Sequence, residues 1–326
     1  MRLFLYILLG IIISFIIISV VAYTIPSTDD LSPYNPLWNG LSRLVSDFGG
    51  RVITLKDIKL IYPPRSIILV IGFDKNFSEE DLSYVKSYVL RGGVLVIADE
   101  REEVNRFLES LDISASVSGE IVADYVFMYR NPLLPIAFAK ISGDNLSIYL
   151  NYASYINISR PGEGVCVAYT SLYSFIDKDL SGSREKSEPY GPFCVVYLVR
   201  IGDGYVYLIS DSSVFINSMI NLGDNERFIK YLVDGRDLYI LYEPVSVSAY
   251  SIFRGYIISF YAMILGTWLR YPAALIVALT LYTLGVRYRD AWRFRREKII
   301  FSDLPDIFKR DFEKLIKDLE KRGEEK

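Results

Sequence analysis

The chain contains no histidine, no glutamine and only two cysteines in 326 residues. Without histidine there is no Ser-His-Asp or Cys-His pair, no histidine-ligated zinc and no imidazole general base, which removes most familiar hydrolase mechanisms. No glycine-rich phosphate loop occurs either. Carboxylate pairs and Ser-Lys dyads survive these exclusions, yet the acidic residues are scattered and no spacing singles out a pair. The lack of glutamine, beside abundant Ile, Tyr, Glu and Lys, is the composition expected of a hyperthermophilic archaeal protein, in which thermolabile amides are rare.

Apolar length is what the chain has in excess. Residues 3–23 carry no charge; as a helix they reach about 31 Å, which matches the roughly 30 Å hydrocarbon core of a bilayer. The run is longer than a signal peptide's apolar region and reads as an anchor. A second apolar zone, residues 255–286, has one charge, Arg270, and at 32 residues is too long for one straight span and short for two. Trp268, Arg270 and Tyr271 are interfacial residue types and Pro272 suits a first helical turn, so the span is expected over 271–288, with 255–270 lying on the membrane surface as an amphipathic segment.

Charge sets the expected orientation. Between Arg287 and Lys298 six basic residues face two acidic ones, which by the positive-inside rule places that end in the cytoplasm. The sequence therefore predicts a two-pass protein of the cell membrane with both termini inside. Its parts are an anchor (1–23), a linker (24–37), an extracytoplasmic domain (38–254), the interfacial segment (255–270), a second transmembrane helix (271–288) and a cytoplasmic tail (289–326). The extracytoplasmic part carries 21 basic and 29 acidic residues, which argues against nucleic acid as a partner, whereas residues 287–326 carry 13 and 10.

Within the domain, residues 38–48 read as a short helix closed by Gly49-Gly50. Residues 51–55, 66–72 and 94–98 are β-rich. Ser78 and Asp81 form a capping box for a helix that stops at Gly92-Gly93, and 102–111 is the next helix. Further strands are expected at 121–128, 146–150 and 165–169, a hairpin at 195–199 and 205–209, a helix at 224–232 and a last strand at 238–242. Continuous apolar strands alternating with helices indicate an α/β fold with a largely parallel sheet.

The run Ser32-Pro-Tyr-Asn-Pro-Leu-Trp-Asn-Gly-Leu-Ser42, the strand-helix-Gly-Gly-strand unit of 66–98, and Ile209-Ser-Asp-Ser-Ser-Val-Phe-Ile-Asn217 with Asp224-Asn225 resemble an uncharacterised membrane-anchored domain family with a class I glutamine-amidotransferase-like fold. The resemblance covers about residues 32–243. It implies a flavodoxin-like, three-layer domain between two membrane helices, and kinship with auxiliary components of ABC-type transport systems or with operons carrying a MoxR-type ATPase. Amidotransferases place a nucleophilic Cys on the turn after a sheet strand. Here that turn reads Ala98-Asp99-Glu100, and Leu241-Tyr242-Glu243-Pro244 stands where relatives carry a His, so amidotransferase catalysis is not expected.

In such sheets ligands sit beyond the carboxyl ends of the strands, which makes Asp99, Glu100, Asp211 and Glu243, with Thr170, the candidate ligand-binding rim. The alternative is that Asp211 caps the following helix and the others are solvated. Residues 177–188 have the spacing of a calcium loop, with Asp177, Asp179, Ser181, Glu185 and Glu188 at positions 1, 3, 5, 9 and 12 and Gly182 at the turn. Arg184 at position 8, two lysines and the prolines after the loop favour a solvated loop, and no other cofactor is expected. Cys166 and Cys194 form either a disulfide or two buried thiols. Asn76, Asn145 and Asn157 begin acceptor sequons. From Ser302 the tail reads as a helix whose stripe of Phe308, Phe312, Leu315 and Leu319 would dock on a cytoplasmic protein or lie on membrane lipid. The expectation is a non-enzymatic membrane-anchored subunit of an envelope complex, with a divergent carboxylate-dependent hydrolase of envelope sugars or peptides as the alternative.

Overall fold

The protein is represented by a computed structural model that describes residues 2–72, 77–141, 143–243 and 248–302, with Lys314 and Lys317. Asn76, Pro244 and the docking stripe Phe308, Phe312, Leu315 and Leu319 lie outside the described residues. The chain divides into two compact units, Met1–Gly255 and Tyr256–Lys326.

The strands are β1 (Arg51–Ile53), β2 (Ser66–Ile71), β3 (Val94–Ala98), β4 (Ala115–Val117), β5 (Val122–Asp124), β6 (Ile136–Ile141), β7 (Asp144–Tyr149), β8 (Ile156–Ile158), β9 (Gly164–Tyr169), β10 (Ser174–Ile176), β11 (Cys194–Ile201), β12 (Gly204–Ile209) and β13 (Asp237–Leu241). The helices are α1 (Arg2–Thr24), α2 (Ser42–Ser46), α3 (Glu79–Leu90), α4 (Asn105–Ser110), α5 (Asn225–Val233), α6 (Ala249–Gly266) and α7 (Arg270–Ser302). Nine strands make one sheet in the order β1-β13-β2-β3-β12-β11-β9-β6-β7, flanked by the two-stranded pairs β10-β5 and β4-β8.

From β1 to β12 the pairing is parallel; from β12 to β7 it is antiparallel. The fold is thus mixed α/β, and the parallel expectation holds for one half. Connection length decides the difference. β2 and β3 are joined through α3, long enough for a crossover, whereas β11 and β12 are joined across Gly202 (φ +60) and Asp203, which permits only a hairpin.

Burial explains why β2 and β3 are apolar throughout. Ile67, Leu69 and Ile71 face one core with Leu41, Leu44, Phe215 and Phe228, while Ile68 and Val70 face the other with Val85, Tyr88 and Phe107. A strand with both faces covered has no polar side to show, so alternation vanishes. α3 starts in the expected capping box, with Ser78 and Asp81 each satisfying the other's backbone N–H. It ends where Gly92 turns at φ +95, and a Cβ on Gly93 would lie 2.4 Å from the Tyr88 ring, which excludes larger residues there.

Three elements are shorter than the sequence suggests. Residues 38–41 are not helical, because the backbone before α2 is held by side-chain hydrogen bonds instead. The strand expected over 121–128 stops at Asp124, whose carboxylate accepts the N–H groups of Val126 and Phe127 at 2.8 and 2.9 Å and turns the chain. The helix expected over 102–111 is a 3-10 turn, Glu102–Val104, followed by α4.

The apolar zone near the C-terminus breaks at residues 267–269, where the Thr267 hydroxyl donates to the Met263 carbonyl at 2.6 Å. α6 begins at Ala249 rather than at residue 255, and at 18 residues it is long and apolar enough to cross a membrane; Arg270–Arg289 of α7 meets the same measure.

Candidate functional site

Acidic residues gather where the parallel strands end. Asp99 follows β3, and Asp211 follows β12 after Ser210; the Asp99 N–H donates to the Ile209 carbonyl at 3.0 Å, so the two segments run side by side. Both carboxylates are 0% exposed, and a buried charge needs partners. Asp99 takes a forked bond from Arg101, Nε to Oδ1 at 3.0 Å and Nη2 to Oδ2 at 3.1 Å. Glu100 accepts the Ser212 N–H at 3.1 Å and its hydroxyl at 2.8 Å. Asp211 accepts the Asn151 N–H at 2.7 Å and the Ser213 N–H at 2.8 Å, the second bond capping the turn Ser212–Phe215.

Complete burial, reinforced by the charge of Glu100, pushes the Asp211 carboxyl up to about 8, against the pull of its two backbone donors. It therefore holds a proton at neutral pH. Chemically the pair sets a buried acid beside Glu100, with both Asp211 oxygens and Glu100 Oε2 already engaged within the fold.

Two of the expected rim residues stand apart. Glu243 follows β13, two places from β3, and accepts the Leu55 N–H at 3.0 Å. Thr170 follows β9, two places from β12, with its hydroxyl 2.7 Å from that of Ser174. At about 4.8 Å per strand these are separations of roughly 10 Å, too far for one shared site. Sequence reasoning missed Asn151, Ser154, Ser210 and Asp124. Ser210 donates to the Ser154 carbonyl at 2.7 Å, and Ser171 donates to the buried Asp124. All four sit in loops or at strand ends, where no periodicity marks a buried position.

The calcium-like loop folds its carboxylates together. Oxygens of Asp177, Asp179 and Glu188 lie within 4.8 Å of one another, and these are the residues that could hold a cation. Glu185 instead donates its N–H to Glu188 at 2.7 Å, and the Ser181 hydroxyl donates to the Ser183 carbonyl. Asp177 is buried and accepts the N–H groups of Ser181 and Gly182; burial raises its carboxyl above the usual range, while hydrogen bonds from Ser181 lower that of Asp179. Arg184 reaches the Glu188 carbonyl at 2.6 Å and lies 4.0 Å over the Tyr190 ring. Backbone N–H donors, with the Arg184 guanidinium beside them, supply locally part of what a cation would supply.

Cys166 and Cys194 are joined as a disulfide with a Cα–Cα distance of 5.9 Å, bridging the neighbouring strands β9 and β11. Asn145 and Asn157 are both exposed. A cleft of about 250 Å³ opens at the opposite, amino-terminal ends of β3 and β12, lined among others by Val94, Tyr205, Tyr207, Tyr231, Asp234 and Arg236. Burial pushes the Tyr207 hydroxyl above the ordinary phenol range.

The stretches that carry the family resemblance fold as polar braces. Asn217 Nδ2 donates to the carbonyls of Asn35 and Leu37 at 3.0 and 2.6 Å, while its Oδ1 accepts the Arg43 N–H at 2.9 Å. Asp224 and Asn225 accept the N–H groups of Ser147 and Tyr149 at 2.9 and 2.8 Å, and Asn225 Nδ2 donates back to the Tyr149 carbonyl at 3.0 Å. Their side chains thereby satisfy the outer edge of β7, the last strand of the sheet.

No curated protein matches the chain. Among solved structures it is similar to the mmIFT52 N-terminal domain at 14% identity and a TM-score of 0.43, over 56% of this chain and 82% of that one. It is also similar to a β-galactosidase from Bacillus circulans sp. alkalophilus at 12% identity and a TM-score of 0.35, covering 57% of this chain and 24% of that one. A third likeness is to cytoplasmic protein STM3548 from Salmonella typhimurium, at 11% identity and a TM-score of 0.31, over 59% and 84%. Residues 33–233 match the domain of unknown function DUF4350, and because that span exceeds half of the sequence, the chain belongs to the DUF4350 family.

Proposed function

We propose that the protein is a non-enzymatic, membrane-anchored subunit of an envelope complex, transport- or MoxR-ATPase-associated, whose central domain is a flavodoxin-like, amidotransferase-like scaffold that binds a partner. The observation that carries the reading is that each rim carboxylate already serves the fold: Asp99 pairs with Arg101, Glu100 holds Ser212, Asp211 caps a turn and Glu243 holds Leu55.

In this reading the domain is extracytoplasmic and both termini are cytoplasmic. The basic cluster after residue 286 and the disulfide, suited to an oxidising compartment, both support that orientation. α6 then lies at the membrane surface. Protease added outside intact cells should digest the domain and spare a tail epitope; a tail accessible from outside means that α6 spans as well and overturns the two-pass arrangement. Affinity purification in mild detergent should recover stoichiometric partners, whereas a clean monomer across several extraction conditions would remove the subunit reading.

The raised Asp211 carboxyl beside Glu100 favours one second reading, a carboxylate-dependent hydrolase of envelope sugars or peptides. Loss of such an activity in Asp211→Asn or Glu100→Gln, with the fold intact by circular dichroism, would promote it.

A further inference from the structure

The chain leaves α1 at Thr24 and at once meets the start of α6. The Ile25 carbonyl accepts the Tyr250 hydroxyl at 2.9 Å and Arg254 Nε at 3.0 Å, and the Ser27 and Ser251 hydroxyls lie 3.1 Å apart. Ser248 N–H reaches Asp29 Oδ1 at 3.4 Å. Both stems are therefore stitched together at the base of the domain.

From that stitch rises the loop of residues 31–42, which contains no charged residue. Its conformation is fixed from within and from behind. Asn35 Nδ2 donates to the Asp29 carbonyl at 2.9 Å, Leu31 N–H to the Asn39 carbonyl at 3.0 Å, and Leu41 N–H to the Ser32 carbonyl at 2.9 Å. Asn217 grips the Asn35 and Leu37 carbonyls, and Ser218 N–H donates to the Trp38 carbonyl at 3.0 Å. A Cβ on Gly40 would fall 1.8 Å from the Asn35 carbonyl oxygen, so the turn admits only glycine.

This immobilised loop buries Leu41 in the core and turns three large apolar side chains outward. Trp38 is 67% exposed, Tyr34 56% and Leu37 43%. Single exposed apolar residues are ordinary, but a Trp, a Tyr and a Leu together on one hydrogen-bonded loop form a contact surface awaiting an occupant. Position and chemistry name the occupant. Asn35 is two hydrogen-bonded steps from Ser248, at the first turn of α6, and Trp and Tyr are the residues that settle at the membrane–water interface. The absence of charge suits the interface itself rather than a particular anionic headgroup.

We propose that residues 31–42 are a rigid aromatic foot that seats the domain in the lipid headgroup layer beside its own stems, with Trp38 as the principal contact. The inference rests on the membrane anchoring described above and adds that the domain touches the bilayer at a defined place.

The test uses the full chain in phosphatidylcholine vesicles. Trp268→Phe with Trp292→Phe leaves Trp38 as the sole tryptophan, since the chain has three. Lipids brominated at the top of the acyl chain should reduce its emission at least twofold relative to unbrominated vesicles. Should the double variant not reconstitute, the quenching difference between the natural chain and Trp38→Phe reports the same residue. Trp38 quenched by acrylamide but not by bromolipid is solvated, and the proposal fails. Trp38 protected from both is covered by a second copy or another protein, and the proposal again fails. Extraction of the chain from vesicles by alkaline carbonate would instead remove the anchoring reading along with it, so the two failures are distinguishable.

Discussion

At the residue scale several buried polar side chains hold backbone, and at Asp211 the raised carboxyl makes that measurable. An aspartate titrates near 3.9 in the unfolded chain, and Asp211 is pushed up to about 8 in the fold. A raised acid contributes stability that is complete below the unfolded value and lost as the pH climbs through the folded one. Melting temperature should therefore fall between pH 5 and pH 8, and Asp211→Asn should flatten that slope; an unchanged slope would place the proton elsewhere. The same logic separates Asp211 from Asp224, whose carboxyl is lowered first by the Ser147 N–H and then by Arg227, and whose contribution disappears only in acid. At Asp177, Asp179 and Glu188 backbone N–H groups already occupy carboxylate oxygens that a cation would need, so millimolar calcium should leave the melting temperature unchanged. A rise of several degrees would reverse this and make the loop a metal site.

At the element scale, the sheet is secured at places where pairing alone is insufficient. β9 and β11 pair with register shifts near Cys194 and Val196, and the disulfide crosses there. With the cysteines 28 positions apart in sequence, the chain-entropy account gives about 3–4 kcal/mol, so Cys166→Ser should lower stability by about that amount in chemical denaturation. β7 is an outer strand whose N–H groups would otherwise be free to template another chain, and Asp224-Asn225 occupies them. Asn225→Ala should cost about 1–3 kcal/mol and increase aggregation on mild heating, read by light scattering. Much of this layer is legible in sequence: the Ser78–Asp81 capping box, the Gly202 hairpin and the apolar runs of β2 and β3 appear where expected. The helix expected over residues 38–48 is reduced to α2, because Asn217, far away in sequence, holds the carbonyls of Asn35 and Leu37 and the N–H of Arg43.

At the scale of the whole molecule, apolar helices precede and follow the α/β unit in the chain, and the sequence beyond Ser302 spaces Phe308, Phe312, Leu315 and Leu319 as the expected docking stripe. On the proposed two-pass arrangement, Phe308, Phe312 and Leu315 changed together to Asp should release a cytoplasmic partner while membrane insertion and the fold of the central domain stay as they were, because Arg270–Arg289 is long and apolar enough to cross a membrane without the tail. Unaltered partner recovery, with the isolated tail peptide freed from anionic vesicles, would make the tail a lipid-surface element instead.

The sequence by itself determined the apolar segments, the loss of histidine chemistry, the parallel core strands and the acidic spacing of residues 177–188. These follow from local length, composition and spacing, which act within a few turns of chain. Only the tertiary structure decided that Asp211 and Glu100 meet while Glu243 and Thr170 do not, and that Cys166 can reach Cys194. It also turned the signature residues Asn217, Asp224 and Asn225 into braces. Strand order sets each of these distances, and strand order is fixed by which apolar faces find cover across the whole sheet, an outcome that no window of sequence contains.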